Sequence, residues 1–215
     1  RAGIVRDAMA GHGRASALPV PPESPLYTQT GSEFDLSELS SQLNALGAQD
    51  TDSDGILELK VGKGTQPMSF DLVVNAENAS KVLAANMLRE TFLSVGISLN
   101  VRALKWSDYL TAAESGDFDI LYAETLLPCD LSPAQIVGTD GLLNYGGYAD
   151  EQIDALLEQF VSSRGDAADD LYARIAQQAP IIPILFEDTT IYTHRGQVRG
   201  IAPLPGNIYN DISNW

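Results

Sequence analysis

Apolar positions along the chain change period several times, and each change predicts an element. Ile4, Val5, Ala8 and Met9 share one face of a short helix that Gly11-His12-Gly13 closes. Pro19, Pro21, Pro22 and Pro25 predict an extended, polyproline-like connector. Leu36, Leu39, Leu43 and Leu46 then recur at helical spacing, with Ser32 as a cap and Gly47 past the end. Residues 50–55 predict a tight acidic turn into a short strand over 56–61, and residues 62–67 turn the chain back. Residues 70–75 alternate and then saturate with Leu72, Val73 and Val74, as a strand covered on both faces does.

A helix is predicted over 79–95, with Val82, Leu83, Met87 and Phe92 inward and Gly96 beyond it. A strand follows over 97–104, then a helix capped by Ser107 that runs to Glu114, then a strand over 118–123 after Gly116-Asp117. This βαβαβ order implies right-handed crossovers and a mostly parallel sheet flanked by helices, an α/β fold. Ligands of such sheets sit beyond the carboxyl ends of the strands, which points to the loops 75–78, 105–106 and 124–133. Helices are predicted over 150–162 and 166–178, each starting on an aspartate that suits the positive helix end. Pro180-Ile-Ile-Pro183 opens a long strand over 184–193, with a turn at Gly196.

The 215 residues are 44% apolar and 20% charged, the balance of a globular protein able to build a core without staples. Thirteen basic against 29 acidic side chains leave a net charge of −16, which argues strongly against nucleic acid or an anionic bilayer as partner. Residues 114–170 hold 13 acids and one base, Arg164. That excess reads either as solvated helix surface or as the rim of a site for a cationic group. Cys129 is the single cysteine, so an internal disulfide and a CxxC metal site are excluded.

Few segments carry chemistry. Asp50-Thr-Asp52-Ser-Asp54-Gly55 has the first half of a calcium loop, with Glu58 at the ninth position, but Val61 replaces the bidentate Glu at the twelfth. The two readings are an Asp/Gly turn and an opportunistic Ca²⁺ site formed by Asp50, Asp52, Asp54 and Glu58. No G-x-S-x-G segment is present, and the histidines are His12 and His194 alone. Trp106 and Tyr109 form an aromatic pair at a strand-to-helix corner, as packing or as a surface for ligand stacking. Asn144-Tyr145-Gly-Gly-Tyr148 puts two ring hydroxyls around a flexible Gly pair, which suits a recognition surface or a structural loop.

In order along the chain, four segments resemble the family 5 extracellular solute-binding proteins of ABC importers, the oligopeptide, dipeptide and nickel-binding group. They are the helix, Gly turn and Pro connector of residues 4–22, the Asp/Gly turn from Gly47 to Glu58, Gly116-Asp-Phe-Asp-Ile-Leu-Tyr, and the run from Asn144-Tyr-Gly-Gly-Tyr to Ala179-Pro-Ile-Ile-Pro-Ile. The resemblance implies one lobe of periplasmic-binding-protein type II character, without catalysis and without a cofactor. Family members are about twice this length or more. The start at Arg1 and the stop at Trp215 are therefore expected to bound a piece of a longer protein whose N-terminal lobe is missing. Residues 1–30 would enter the lobe, 31–180 form it, and 181–215 return towards the missing partner.

The implied ligand is a peptide or similar small solute, and the implied partners are ABC permease subunits. The implied location is extracellular or periplasmic, with a lipoprotein anchor. Many peptide binders of the family carry Trp-Gly-x-x-Asp-Tyr-x-x-Pro after the third strand, whose Asp holds the peptide's amino terminus. Here that stretch reads Glu124-Thr-Leu-Leu-Pro-Cys-Asp130-Leu-Ser-Pro133, so the Trp is absent and the Asp comes about two positions late. Asp130 is the residue the resemblance assigns to an amine, with Glu124 as alternative; Asn75, Trp106, Asn144, Tyr145 and Tyr148 join them as ligand-binding candidates from the loop and motif readings above. Two other classes stay open on the residues alone: a small α/β hydrolase with an unrecognised triad, and a calcium-stabilised interaction module.

Overall fold

The elements of the computed structural model are, in order, α1 (Ala2–Asp7), β1 (Gly13–Ala15), α2 (Leu36–Ala45), β2 (Glu58–Val61), β3 (Gly64–Pro67), β4 (Ser69–Asn75) and α3 (Ala79–Leu93). They continue with β5 (Ser98–Leu104), α4 (Trp106–Ser115), β6 (Ile120–Tyr122), α5 (Ala134–Val137), α6 (Glu151–Ser162), α7 (Ala168–Gln178) and β7 (Leu185–Glu187). The structure describes residues 1–28, 36–163, 166–189, 192–195, 199–202 and 209–214. The expected cap at Ser32, the turn at Gly196 and part of the strand over 184–193 lie outside these. Two compact units result, one of Arg1–Val5, Gly11–Thr30 and Thr125–Trp215, the other of Arg6–Ala10 and Gly31–Glu124.

In the second unit β4 is the middle strand of a parallel sheet of order β5-β4-β6. Strand side chains alternate between faces. Leu72 and Val74 accordingly pack with Ala85 of α3, Ile97, Leu99, Leu43 and Ala48, while Val73 packs with Tyr109 and Ala112 of α4. All three are completely buried, which explains why the sequence shows an unbroken apolar run rather than alternation. Each such burial is worth about 1.5–3 kcal/mol. In register, Asn75 lies opposite Leu104 and Val74 opposite Tyr122, so the three carboxyl ends are level.

Several local expectations are corrected here. Ala84 and Ala85 are the buried face of α3, whereas Leu83 is 46% exposed and Met87 half-buried. Val82 and Phe92 do pack against the sheet core as expected, joined there by Leu88 and Ala85. Ser107 sits within α4 rather than capping it; Lys105 is the cap residue and offers no side-chain hydrogen bond. Residues 64–67 are a strand, not a turn, because Gly62-Lys63 alone reverses the chain between Val61 and Gly64. Gly62, with φ of 64°, supplies the positive φ that a two-residue hairpin turn needs at its first position.

The first unit packs α5, α6 and α7 around Val137, Ile153, Leu157, Phe160, Leu171, Tyr172 and Ile175, together with Leu18 and Val20. The proline segment supplies the last two. It is bent, not polyproline-like: Ser24 N–H donates to the Pro21 carbonyl at 2.9 Å and Tyr27 N–H to that of Ser24 at 2.9 Å. Asp150 caps α6 as expected, accepting from the amides of Gln152 (2.8 Å) and Ile153 (3.2 Å). Helix α7 instead begins after Ala167, which has no capping side chain, and Asp169 and Asp170 occupy its first turn. Strands β1 and β7 pair antiparallel, with Arg14 opposite Phe186.

Candidate functional site

The order β5-β4-β6 carries the chain from β4 to one neighbour and then back across it to the other. Helices α3 and α4 lie against opposite faces, since the former packs on Leu72 and Val74 and the latter on Val73. The carboxyl ends of β4 and β6 therefore flank a topological switch point, where open α/β sheets form a crevice.

Three of the sequence-predicted residues follow these three strands. Asn75 ends β4, and its Oδ1 accepts from the Glu77 amide at 3.0 Å. Trp106 begins α4 after β5, is 49% exposed, and stacks on Tyr109 with ring centroids 5.6 Å apart and planes 17° apart. Tyr109 is buried and donates its hydroxyl hydrogen to the Tyr122 carbonyl at 3.2 Å. Glu124 follows β6 and is ion-paired with Lys81 of α3. Glu77 was not singled out from the sequence, yet its Oε1 accepts from the Trp106 amide at 3.1 Å and so caps α4 from a loop 29 positions away. No local motif links two residues so far apart. Lys81 was equally invisible, one lysine on a helix with no apolar role.

The other predicted residues belong to the first unit. Asp130 is exposed; one oxygen accepts from the Ser132 amide at 3.0 Å, and the other takes no hydrogen bond from a described residue. Asn144 is consumed by its own loop: its Nδ2 donates to the carbonyls of Gly138 (3.0 Å) and Tyr148 (2.7 Å), and its Oδ1 accepts from the Tyr148 amide at 3.1 Å. Tyr148 turns its hydroxyl to Asp150 Oδ2 at 3.0 Å, which Arg174 also reaches through Nη2 at 2.6 Å and Nε at 3.1 Å. Partial burial, reinforced by the Asp150 charge, pushes the Tyr148 hydroxyl above its ordinary value. Burial alone would raise Asp150, but the Arg174 hydrogen bond and the two helix amides outweigh it and hold the carboxyl below the ordinary range. Tyr145 is half-buried.

Carboxylate oxygens of Asp50, Asp52, Asp54 and Glu58 come within 4.8 Å of one another. Most are already occupied by the turn: Asp50 accepts from the amides of Asp54 (3.2 Å) and Gly55 (3.0 Å), Asp54 from that of Ile56 (2.7 Å), and Glu58 from Thr51 N–H and Oγ1 (both 2.7 Å). Elsewhere on the sheet, Arg102 bridges Asp71 (3.2 Å) and Asp117 (2.7 Å). The hydrogen bond between Arg102 and Asp117 raises the guanidinium and lowers the carboxyl. A groove of about 250 Å³ lies beside that pair, lined also by Thr111 and Ser115 of α4. A second, apolar groove of about 420 Å³ runs along Leu157 and Val161. Neither contains a sequence-predicted site residue.

The parallel sheet carries polar and aromatic side chains at its carboxyl ends, where open α/β sheets bind ligands, and comparison with known proteins supplies the class. The family model of bacterial extracellular solute-binding proteins, family 5 middle region, matches residues 1–128. The chain belongs to that family. It is similar to the oligopeptide-binding protein AppA of Bacillus subtilis in complex with a nonapeptide, at 22% identity and a TM-score of 0.70 over 86% of this chain and 39% of that one. It is also similar to a mannohexaose-bound periplasmic oligopeptide-binding protein of Thermotoga maritima, at 18% identity and a TM-score of 0.75 over 87% of this chain and 39% of that one. A third likeness is to NikZ of Campylobacter jejuni in complex with Ni(L-His), at 16% identity and a TM-score of 0.70 over 86% and 39%.

These likenesses establish the periplasmic-binding-protein type II fold, and the family and its structural neighbours are binding proteins rather than enzymes. The chain spans about 39% of the length of these solved structures. No curated protein matches the sequence. Among the described residues no helix is long and apolar enough to cross a membrane.

Proposed function

We propose that this chain is one lobe of the substrate-capture component of an ABC importer, non-catalytic, taking peptides in a cleft completed by a second lobe of the same longer protein. The observation that supports this most is the placement of Asn75, Trp106 and Glu124 at, or within two residues of, the carboxyl ends of three adjacent parallel strands. Two-lobed proteins gain affinity when closure buries the ligand between facing surfaces. A site open on one side need not form a cavity, which accords with grooves that avoid all the predicted residues. Pairing of β1 with β7 sets the entering and returning segments side by side, as two connections to one partner lobe require. Residues 1–30 and 181–215 are read as those connections, and 31–180 as the lobe they bracket.

Peptide is favoured over other solutes by Asp130, an exposed carboxylate with one oxygen uncommitted to any described residue and so able to take an ammonium group. Glu124 is the second choice, because a ligand amine would have to displace Lys81. Tyr145 offers its ring and hydroxyl, whereas Asn144 and Tyr148 shape the loop from within. Permease subunits are the protein partners of this reading, and its location is the periplasm or outer cell surface with a lipid anchor. Small-angle scattering of the two-lobed protein tests it: adding Ala-Phe-Ala should reduce the radius of gyration. An unchanged radius at saturating peptide removes the capture role.

A further inference from the structure

Trp106 is a large apolar ring left half in water just past the carboxyl end of β5, although its partner Tyr109 is buried. Its orientation does not rest on the stack alone. The first turn of α4 lacks a local capping side chain, and the Glu77 carboxylate supplies one to the Trp106 amide, a favourable place for negative charge. Glu77 is itself held: its amide donates to Asn75 Oδ1 at 3.0 Å, and the preceding Ala76 amide donates to the Leu104 carbonyl at 2.7 Å. The series Asn75, Glu77, Trp106, Tyr109, Tyr122 thus ties together the carboxyl ends of all three strands. Both ends of the Trp106 residue are fixed, the backbone by Glu77 and the ring by Tyr109.

Resting on the peptide-capture reading above, we propose that Glu77 is a positioning residue that holds Trp106 as a rigid wall for a flat, aromatic side chain of the bound peptide. One face of the indole is committed to Tyr109 and the exposed remainder is available. Ring-on-ring contacts favour an offset or edge arrangement and add specificity beyond area burial. A ring held in place before binding also loses less freedom when the ligand arrives.

The test uses the two-lobed protein, with every tryptophan other than Trp106 changed to phenylalanine. Fluorescence of Trp106 is titrated with Ala-Phe-Ala and with tri-alanine at millimolar concentrations. Ala-Phe-Ala is expected to bind at least about threefold more tightly. Glu77→Ala should bring that ratio close to one and lower the anisotropy of Trp106 in the free protein. Glu77→Gln, which retains an acceptor for the amide, should preserve both. Equal binding of the two peptides, or a Glu77→Ala variant with unchanged ratio and anisotropy, would each overturn the proposal, whereas no response to either peptide would remove the capture reading on which it rests. An Ala-Phe-Ala response that survives acetylation of the peptide's amino terminus supports the wall while removing the amine contact assigned to Asp130.

Discussion

Arg174 of α7 grips the Asp150 carboxylate with two nitrogens, at 2.6 and 3.1 Å, and so locks α7 to the cap of α6. Asp150 is held below the ordinary carboxylate range in the folded state. A carboxyl so lowered contributes stability that is present above its unfolded value, near 3.8, and is lost as pH falls through the folded one. Asp150→Asn keeps a capping side chain but removes the charge. The variant should melt about 2–4 °C below the parent chain at pH 6, and the gap should close as pH falls below about 4. Melting curves between pH 3 and 7 check this, and a gap that widens on acidification contradicts it.

Tyr172 is completely buried, and its hydroxyl has no hydrogen-bond partner among the described residues. Burial pushes that hydroxyl up to about 12. Removing an unsatisfied buried group relieves its desolvation cost, so Tyr172→Phe should be neutral or stabilising by about 1–2 kcal/mol in urea unfolding. Its neighbour is the contrast: Phe160→Ala, which empties the edge-on ring contact at 6.2 Å, should cost about 3–5 kcal/mol. A Tyr172→Phe loss above about 1 kcal/mol would mean that the hydroxyl has a bonding partner in solution.

Gly96 joins α3 to β5 at φ of 81°, and a Cβ there would lie 2.6 Å from Leu57 Cγ. Gly96→Ala therefore meets two penalties, backbone strain and a clash, and should destabilise by about 1–3 kcal/mol. In a Leu57→Ala background only the backbone part remains. The double-mutant cycle should show that coupling, and strict additivity would deny the contact.

The acidic turn at 50–58 gives a separate outcome. Its carboxylates already accept the turn's own amides, so the capture account expects the melting temperature to change little between excess Ca²⁺ and excess chelator. A marked rise with Ca²⁺ would instead favour the calcium-stabilised module.

Much of the α/β core was legible in the sequence because it is encoded locally. The run Leu72-Val73-Val74 announced a strand covered on both faces, and Gly47, Gly96 and Gly116 marked helix ends that are all in the left-handed region. Leu83 misled, because helical spacing alone cannot tell which of two adjacent apolar arcs meets the sheet, and the arc of Val82, Ala85, Leu88 and Phe92 makes that contact. The strand-end loops were legible as places, but their wiring was not. Glu77 and Trp106 meet only because two loops follow parallel strands in register, and Arg174 finds Asp150 across a helix pair. Nothing in the residues near either partner encodes those meetings. Asn144 and Tyr148 show the converse: a sequence pattern suited to recognition is spent largely on holding its own loop.

The central claim is capture of a peptide through its amino terminus, and isothermal titration of the two-lobed protein with Ala-Phe-Ala tests it most directly. The account predicts saturable binding that weakens about tenfold or more, a change of about 1.4 kcal/mol, when the peptide is acetylated or Asp130 is changed to Asn. Absence of binding, or equal affinity for the free and acetylated peptides in both proteins, would contradict it.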